Sequence, residues 1–109
     1  MDVTYGAFVT AFLAVSLAAV NLMSLCGLNR RLRGAITGHL AIYEMTSSRP
    51  NRFYGNGFRR HGFGTDVTHY FDEHVEADAV HEQIAGRDLA GGLVEAEPAL
   101  LHAVPFGAT

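Results

Sequence analysis

Hydrophobic and polar positions alternate differently along successive stretches of this chain, and each pattern predicts an element. Val3 to Asn29 carries no charged side chain, so a helix over residues 5–27, bracketed by Gly6 and Gly27, has no polar face. Such a run fits either a central helix buried on all sides or a membrane anchor over residues 7–28 with Arg30, Arg31 and Arg33 as its flank. A second helix over 29–47 places Thr37, Leu40, Ala41 and Glu44 at helical steps. It stops before Pro50, because proline disfavours helix in the residue that precedes it. Residues 48–64 mix arginine, glycine and aromatic residues without a period, and the spacing predicts a long glycine-punctuated loop with room for one short helical turn. Thr65 as N-cap and Asp66 as a first-turn acid then open a helix over 65–90. Glu97-Pro98 starts a last helix over 97–105, with proline at its first position. No strand-like alternation occurs, so the chain reads as one all-α domain over 1–109.

The fourth of these elements carries the chemistry. Val67, Phe71, His74, Asp78, His81 and Ala85 recur at steps of three and four, which places them along one line of a helix. The ends of that line are apolar, as a core-facing stripe should be. Its centre is two imidazoles and a carboxylate where leucine or valine would be expected. Burying such groups without partners costs roughly 1–3 kcal/mol each by mutational measures, and more for a charge. A bound transition metal removes that cost, since imidazole and carboxylate are good ligands for first-row metals. The bland alternative is a polar face turned to solvent, but Asp72, Glu73, Glu76 and Gln83 already supply one on another side. Asp78-x-x-His81 has the acid-x-x-His spacing by which bundle carboxylate proteins hold iron or manganese. The histidines lie seven apart rather than four, so the zinc-peptidase pattern is absent.

Charge distribution adds a second candidate ligand. All eight basic residues are arginines, seven of them between Arg30 and Arg60, while nine of the eleven acids fall between Asp66 and Glu97. Internal pairing of the two regions accounts for this better than nucleic-acid binding, given a net charge of −3 and no interleaved aromatic platform. Between Asp2 and Asp66 the only acid is Glu44. A lone carboxylate among apolar residues and arginines is either an ion-pair partner or a ligand, and a neighbouring helix in need of an anion favours the ligand. The single Cys26 excludes an internal disulfide framework, fits a reducing cytoplasm and reads as a small core residue. No phosphate-binding glycine loop and no nucleophile triad is present.

Asn21-Leu22-Met23-Ser24, Arg31-Leu32-Arg33-Gly34, Gly38-His39-Leu40, Tyr43-Glu44-Met45-Thr46-Ser47-Ser48 and Glu73-His74-Val75-Glu76-Ala77-Asp78-Ala79-Val80-His81-Glu82 together resemble the iron-containing redox enzymes. These are haem-oxygenase-like di-iron oxidases and oxygenases that bind non-haem iron. The resemblance implies a partial haem-oxygenase-like helical bundle, with the first apolar segment as a buried bundle helix and not a membrane span. It implies a metal set of His74, Asp78 and His81 on one core helix and Glu44 from an earlier one. His39 and Tyr43 would either support the ligands from behind or simply pack. Members also draw a Glu and a His from a helix nearer the N-terminus. Upstream of Asn29 this chain has no histidine, and Asp2 is the only acid, so it resembles the later portion of such an enzyme and is expected to be truncated.

The function that follows is non-haem iron binding, with one or two ions or manganese in their place, for O₂-dependent oxidation of a small organic substrate. Arg49, Arg52, Arg59 and Arg60 either steer an anionic substrate or serve solubility. Two other readings stand beside it: a non-catalytic helical fragment that binds one metal or a partner helix, and a small membrane protein anchored by 7–28. A bundle short of helices should also expose an apolar helix face and self-associate through it.

Overall fold

The computed structural model describes Gly6 and residues 12–109, and all of its regular structure is helical. Five longer elements carry the architecture: α1 (Ala14–Leu28), α2 (Arg33–Thr46), α3 (Ser48–Arg60), α4 (Thr65–Gln83), and a π-helical segment (Ile84–Gly91) that continues α4. Short pieces complete it: 3-10 turns at Arg30–Leu32 and Pro98–Leu100, α5 (Gly92–Ala96) and α6 (Ala103–Gly107). Helix α2 is the hub, in contact with α1, α3, α4, α6 and the π segment.

The close approach of α6 to α2 depends on glycine. A Cβ added at Gly38 would stand 1.8 Å from the Val104 carbonyl oxygen, and one at Gly34 2.7 Å from Ala103 Cβ. Gly34 and Gly38 are four apart and share a face, so the two backbones meet along a groove that no side chain fills. Buried apolar residues among those described are accordingly small: Ala35, Ala41 and Ala85. Helix α2 ends where Thr46 and Ser47 hydroxyls donate to the Ile42 and Tyr43 carbonyls, each at 2.6 Å. Such back-bonding competes with helix propagation.

Residues 48–64, expected as a loop, are mostly the helix α3. Two features mislead a sequence reading there. Pro50 sits in the first turn, where its missing N–H is not needed. Gly55 is buried and functions as a notch, since a Cβ there would lie 3.3 Å from Phe71 Cβ. Aromatic packing against α4 then outweighs the low helix propensity of glycine. Phe58 stacks on Phe71 at 5.2 Å, and Tyr54 tilts against Phe71 at 6.1 Å. Arg59 of α3 pairs with Asp72 of α4, which is the arginine–acid pairing foreseen from the charge distribution.

The C-terminal helix expected over 97–105 is divided. Pro98 does occupy a first position, but of a 3-10 turn, and α6 restarts at Ala103. Pro105 has no N–H to offer Leu101, so an unbroken helix would lose that bond; within α6 it falls in the first turn, where it is tolerated.

Helix α1 differs from its expectation. It has no buried residue, and Val15, Val20 and Leu28 are 72%, 67% and 85% exposed. A buried central helix needs neighbours on every side, and α1 contacts α2 and the 3-10 turn that follows it. No helix among the described residues is long and apolar enough to cross a membrane. Residues 7–11 of the anchor considered above lie outside the described residues, as does the start of the 5–27 helix.

Candidate metal centre

Glu44 of α2 and Asp78 and His81 of α4 converge. One ligand atom from each lies within 4.8 Å of the other two. His81 Nδ1 is 3.0 Å from Glu44 Oε2 and 3.9 Å from Asp78 Oδ1. Helical spacing explains the α4 half, since Asp78 and His81 are three apart on one face. The α2 half follows from Glu44 sitting on the side of that helix that meets α4 and the π segment.

Burial is uneven across the cluster. Asp78 is 3% exposed, whereas the His81 and Glu44 side chains are 52% and 32% exposed. The buried carboxylate has a donor behind it. Asn51 of α3 donates from Nδ2 to Asp78 Oδ2 at 3.4 Å and to the Ser47 carbonyl oxygen at 3.0 Å. One oxygen of Asp78 is thus held by an amide, and the other faces the imidazole. Among the described residues no arginine pairs with Asp78 or Glu44. His81 Nδ1 is within hydrogen-bond distance of Glu44 Oε2, and a cation shared by the three side chains would offset the repulsion of two carboxylates so close, one of them buried. Two hard oxygen donors and an imidazole suit Fe(II) or Mn(II). The residues therefore fit the metal that their spacing implied.

The other candidates lie elsewhere. His74 is one turn before Asp78 on α4 but outside the three-residue cluster. Its Nδ1–H donates to the Tyr70 carbonyl oxygen at 2.7 Å, and its ring packs on Tyr70 with centroids 4.2 Å apart. That bond leaves Nε2 with its lone pair, the atom through which a neutral imidazole ligates. His39 and Tyr43 pack edge to face at 4.9 Å on a different side of α2. Residues five apart on an α-helix are rotated by about 140°, which carries His39 away from Glu44. His39 Nδ1–H donates to the Gly107 carbonyl oxygen at 3.2 Å. With Tyr43, Leu22, Cys26 and Phe106 it lines a separate cavity of about 360 Å³.

Sequence reasoning missed Asn51, which fell inside the expected loop, and it missed the π turn after His81. Gly86 and Gly91-Gly92 are the available signal for the latter, since glycine weakens a regular α-helix there.

No curated protein and no solved structure gives a significant match to this chain. A family model described as iron-containing redox enzyme matches residues 1–109. The all-α architecture agrees with a haem-oxygenase-like bundle, and the Glu44–Asp78–His81 cluster agrees with an iron site. By a match that spans its whole length, supported by that fold and that donor set, the chain belongs to the iron-containing redox enzyme family.

Proposed function

We propose that the chain binds a non-haem iron ion, with manganese as the alternative occupant, and serves O₂-dependent oxidation of a small organic substrate in the cytoplasm. The observation that carries this reading is the pairing of a buried carboxylate, Asp78, with a second carboxylate and an imidazole, and with no arginine to balance them. Glu44, Asp78 and His81 would hold the ion, with His74 joining through Nε2. The ion would supply the redox step with O₂. The protein's own contribution is orientation. Asn51 fixes the Asp78 carboxylate from behind, and the Tyr70 carbonyl fixes the His74 ring, in the manner by which outer hydrogen bonds set ligand geometry. Di-iron bundles draw four carboxylates and two imidazoles from several helices. The smaller set here favours one ion held firmly over two. The exposed sides of α1 fit self-association as part of the same reading.

Metal retention tests the proposal. Protein reconstituted with Fe(II) or Mn(II) and desalted should keep the metal, and His81→Ala should lose most of it. Equal content in the two proteins by elemental analysis would dismiss the site.

A further inference from the structure

The π-helical segment begins three residues after His81 and changes which side chains stand beside the ligands. In an α-helix, residues five apart point about 140° away from each other. In a π-helix the N–H of one residue bonds to the carbonyl five before it, so residues five apart lie close to one turn apart and face the same way. Gly92 N–H donates to the Arg87 carbonyl in this manner. Ile84 and Leu89 are five apart, and both line one shallow cavity of about 270 Å³ together with Ala85, Leu40, Glu44 and His81. Had α4 continued as an α-helix, Leu89 would still follow Ala85 by four residues at one edge of the wall but would point about 140° from Ile84; the π turn brings it into line with Ile84 as well.

The resulting wall is aliphatic. Apart from Glu44 and His81, each residue on it is an alanine, leucine or isoleucine, and no arginine reaches it. Leu40, Ile84 and Leu89 are 43%, 49% and 38% exposed there. Large aliphatic side chains left open around a polar cluster mark a place where an apolar group is bound. The arginines of α3 that were candidates for steering an anion lie on another helix and contribute nothing to this wall.

We propose that the π segment shapes a substrate subsite beside the metal ligands that takes an uncharged alkyl group, with Leu89 as its specificity-determining residue. The proposal rests on the metal reading for its chemistry but not for its test, because the wall exists without the ion. Two titrations decide it. In the first, cobalt(II)-loaded protein is titrated with alkyl hydroxamates of increasing chain length, read by the cobalt absorption band. In the second, n-alkanols are added to protein without cobalt, read by the methyl resonances of Ile84 and Leu89. Affinity should rise about twofold to fourfold per added methylene until the cavity fills, and the alkanols should shift both methyl signals. Leu89→Ser should flatten the chain-length dependence while cobalt uptake and helical circular dichroism stay unchanged, and Leu89→Met should restore it. Failure to take up cobalt would strike the metal reading alone, with the methyl shifts still supporting or overturning the subsite. A hydroxamate with a carboxylate or ammonium tail binding as tightly as its alkyl counterpart, or alkanols leaving both methyls unmoved, would overturn it.

Discussion

The two sides of α2 do different work with the same backbone. Towards α6 the helix presents Gly34 and Gly38, and the partner comes so close that a single added methyl would overlap Val104. Towards α4 it presents Glu44, which stays about one-third exposed and meets its partner through one carboxylate oxygen at 3.0 Å. On the first side steric fit is strict, and polar contact among the described residues is confined to His39 on the Gly107 carbonyl and to Arg33 on Glu97 at the rim. On the second, packing is loose and the identity of each polar atom matters. Stability and ligand binding should therefore separate cleanly between the sides.

The separation is broken most directly at Gly38. Gly38→Ala forces a Cβ to within 1.8 Å of a backbone oxygen, so α6 must move. The expected loss is about 1–3 kcal/mol or more, the usual range for overpacking. Urea denaturation measures it, and a change of less than ~0.5 kcal/mol, the scatter of neutral surface substitutions, would show that α6 is not docked as described. Among folded molecules, metal content should be unaffected.

Glu44→Gln is the matching test on the open side. It keeps the shape and removes the anion, so metal affinity should fall about tenfold to a hundredfold, comparable to other disturbances of a ligand set. The helical circular dichroism and the midpoint of unfolding should barely change. Unchanged affinity with lowered stability would make Glu44 an ion-pair residue and unite the two sides that are separated here.

The smallest effect belongs to the rim of the tight side, where Arg33 of α2 bonds Glu97 just before Pro98. The hydrogen bond from Arg33 holds the Glu97 carboxyl below its ordinary value, with the guanidinium charge adding to it. A carboxyl lowered in the folded state contributes stability above its unfolded value, near 4.3 for a free Glu by rough reference, and loses it as pH falls through the folded value. Both side chains are more than one-third exposed, so solvent screens the pair and the gain is slight. The thermal midpoint of Glu97→Gln should lie marginally below the parent at neutral pH and converge with it in acid. A gap that persists undiminished below the carboxylate range would assign it to packing instead.

The sequence made one of these sides legible and hid the other. Ligand chemistry is written in residue type and spacing, so Asp78, His81 and the lone acid Glu44 could be picked out, and the structure brings those three together. His74 shares their line but stands one turn before the cluster, with its Nδ1 turned to the Tyr70 carbonyl. Glycine carries the opposite difficulty. At Gly38 it marks close contact, at Gly55 a notch inside a helix, and at Gly86 part of a π turn. Nothing local to the chain distinguishes these from loop glycines, since each meaning depends on which partner arrives. The α1 segment shows the same limit for hydropathy. Its pattern foretold an apolar helix but not the number of neighbours around it.

Because no position in α1 is buried, few of its side chains have to match a partner's shape, Leu22 and Cys26 at the cavity with His39 being the exceptions. Exchange among leucine, valine, alanine and methionine should pass almost unnoticed there, whereas α2 admits nothing larger than hydrogen at Gly38 and α4 holds the carboxylate of Asp78. Over time the first helix is free to drift in letters while it keeps its character. Recognition of distant members should rest instead on a few fixed letters: a glycine pair, one glutamate, and an aspartate three residues before a histidine.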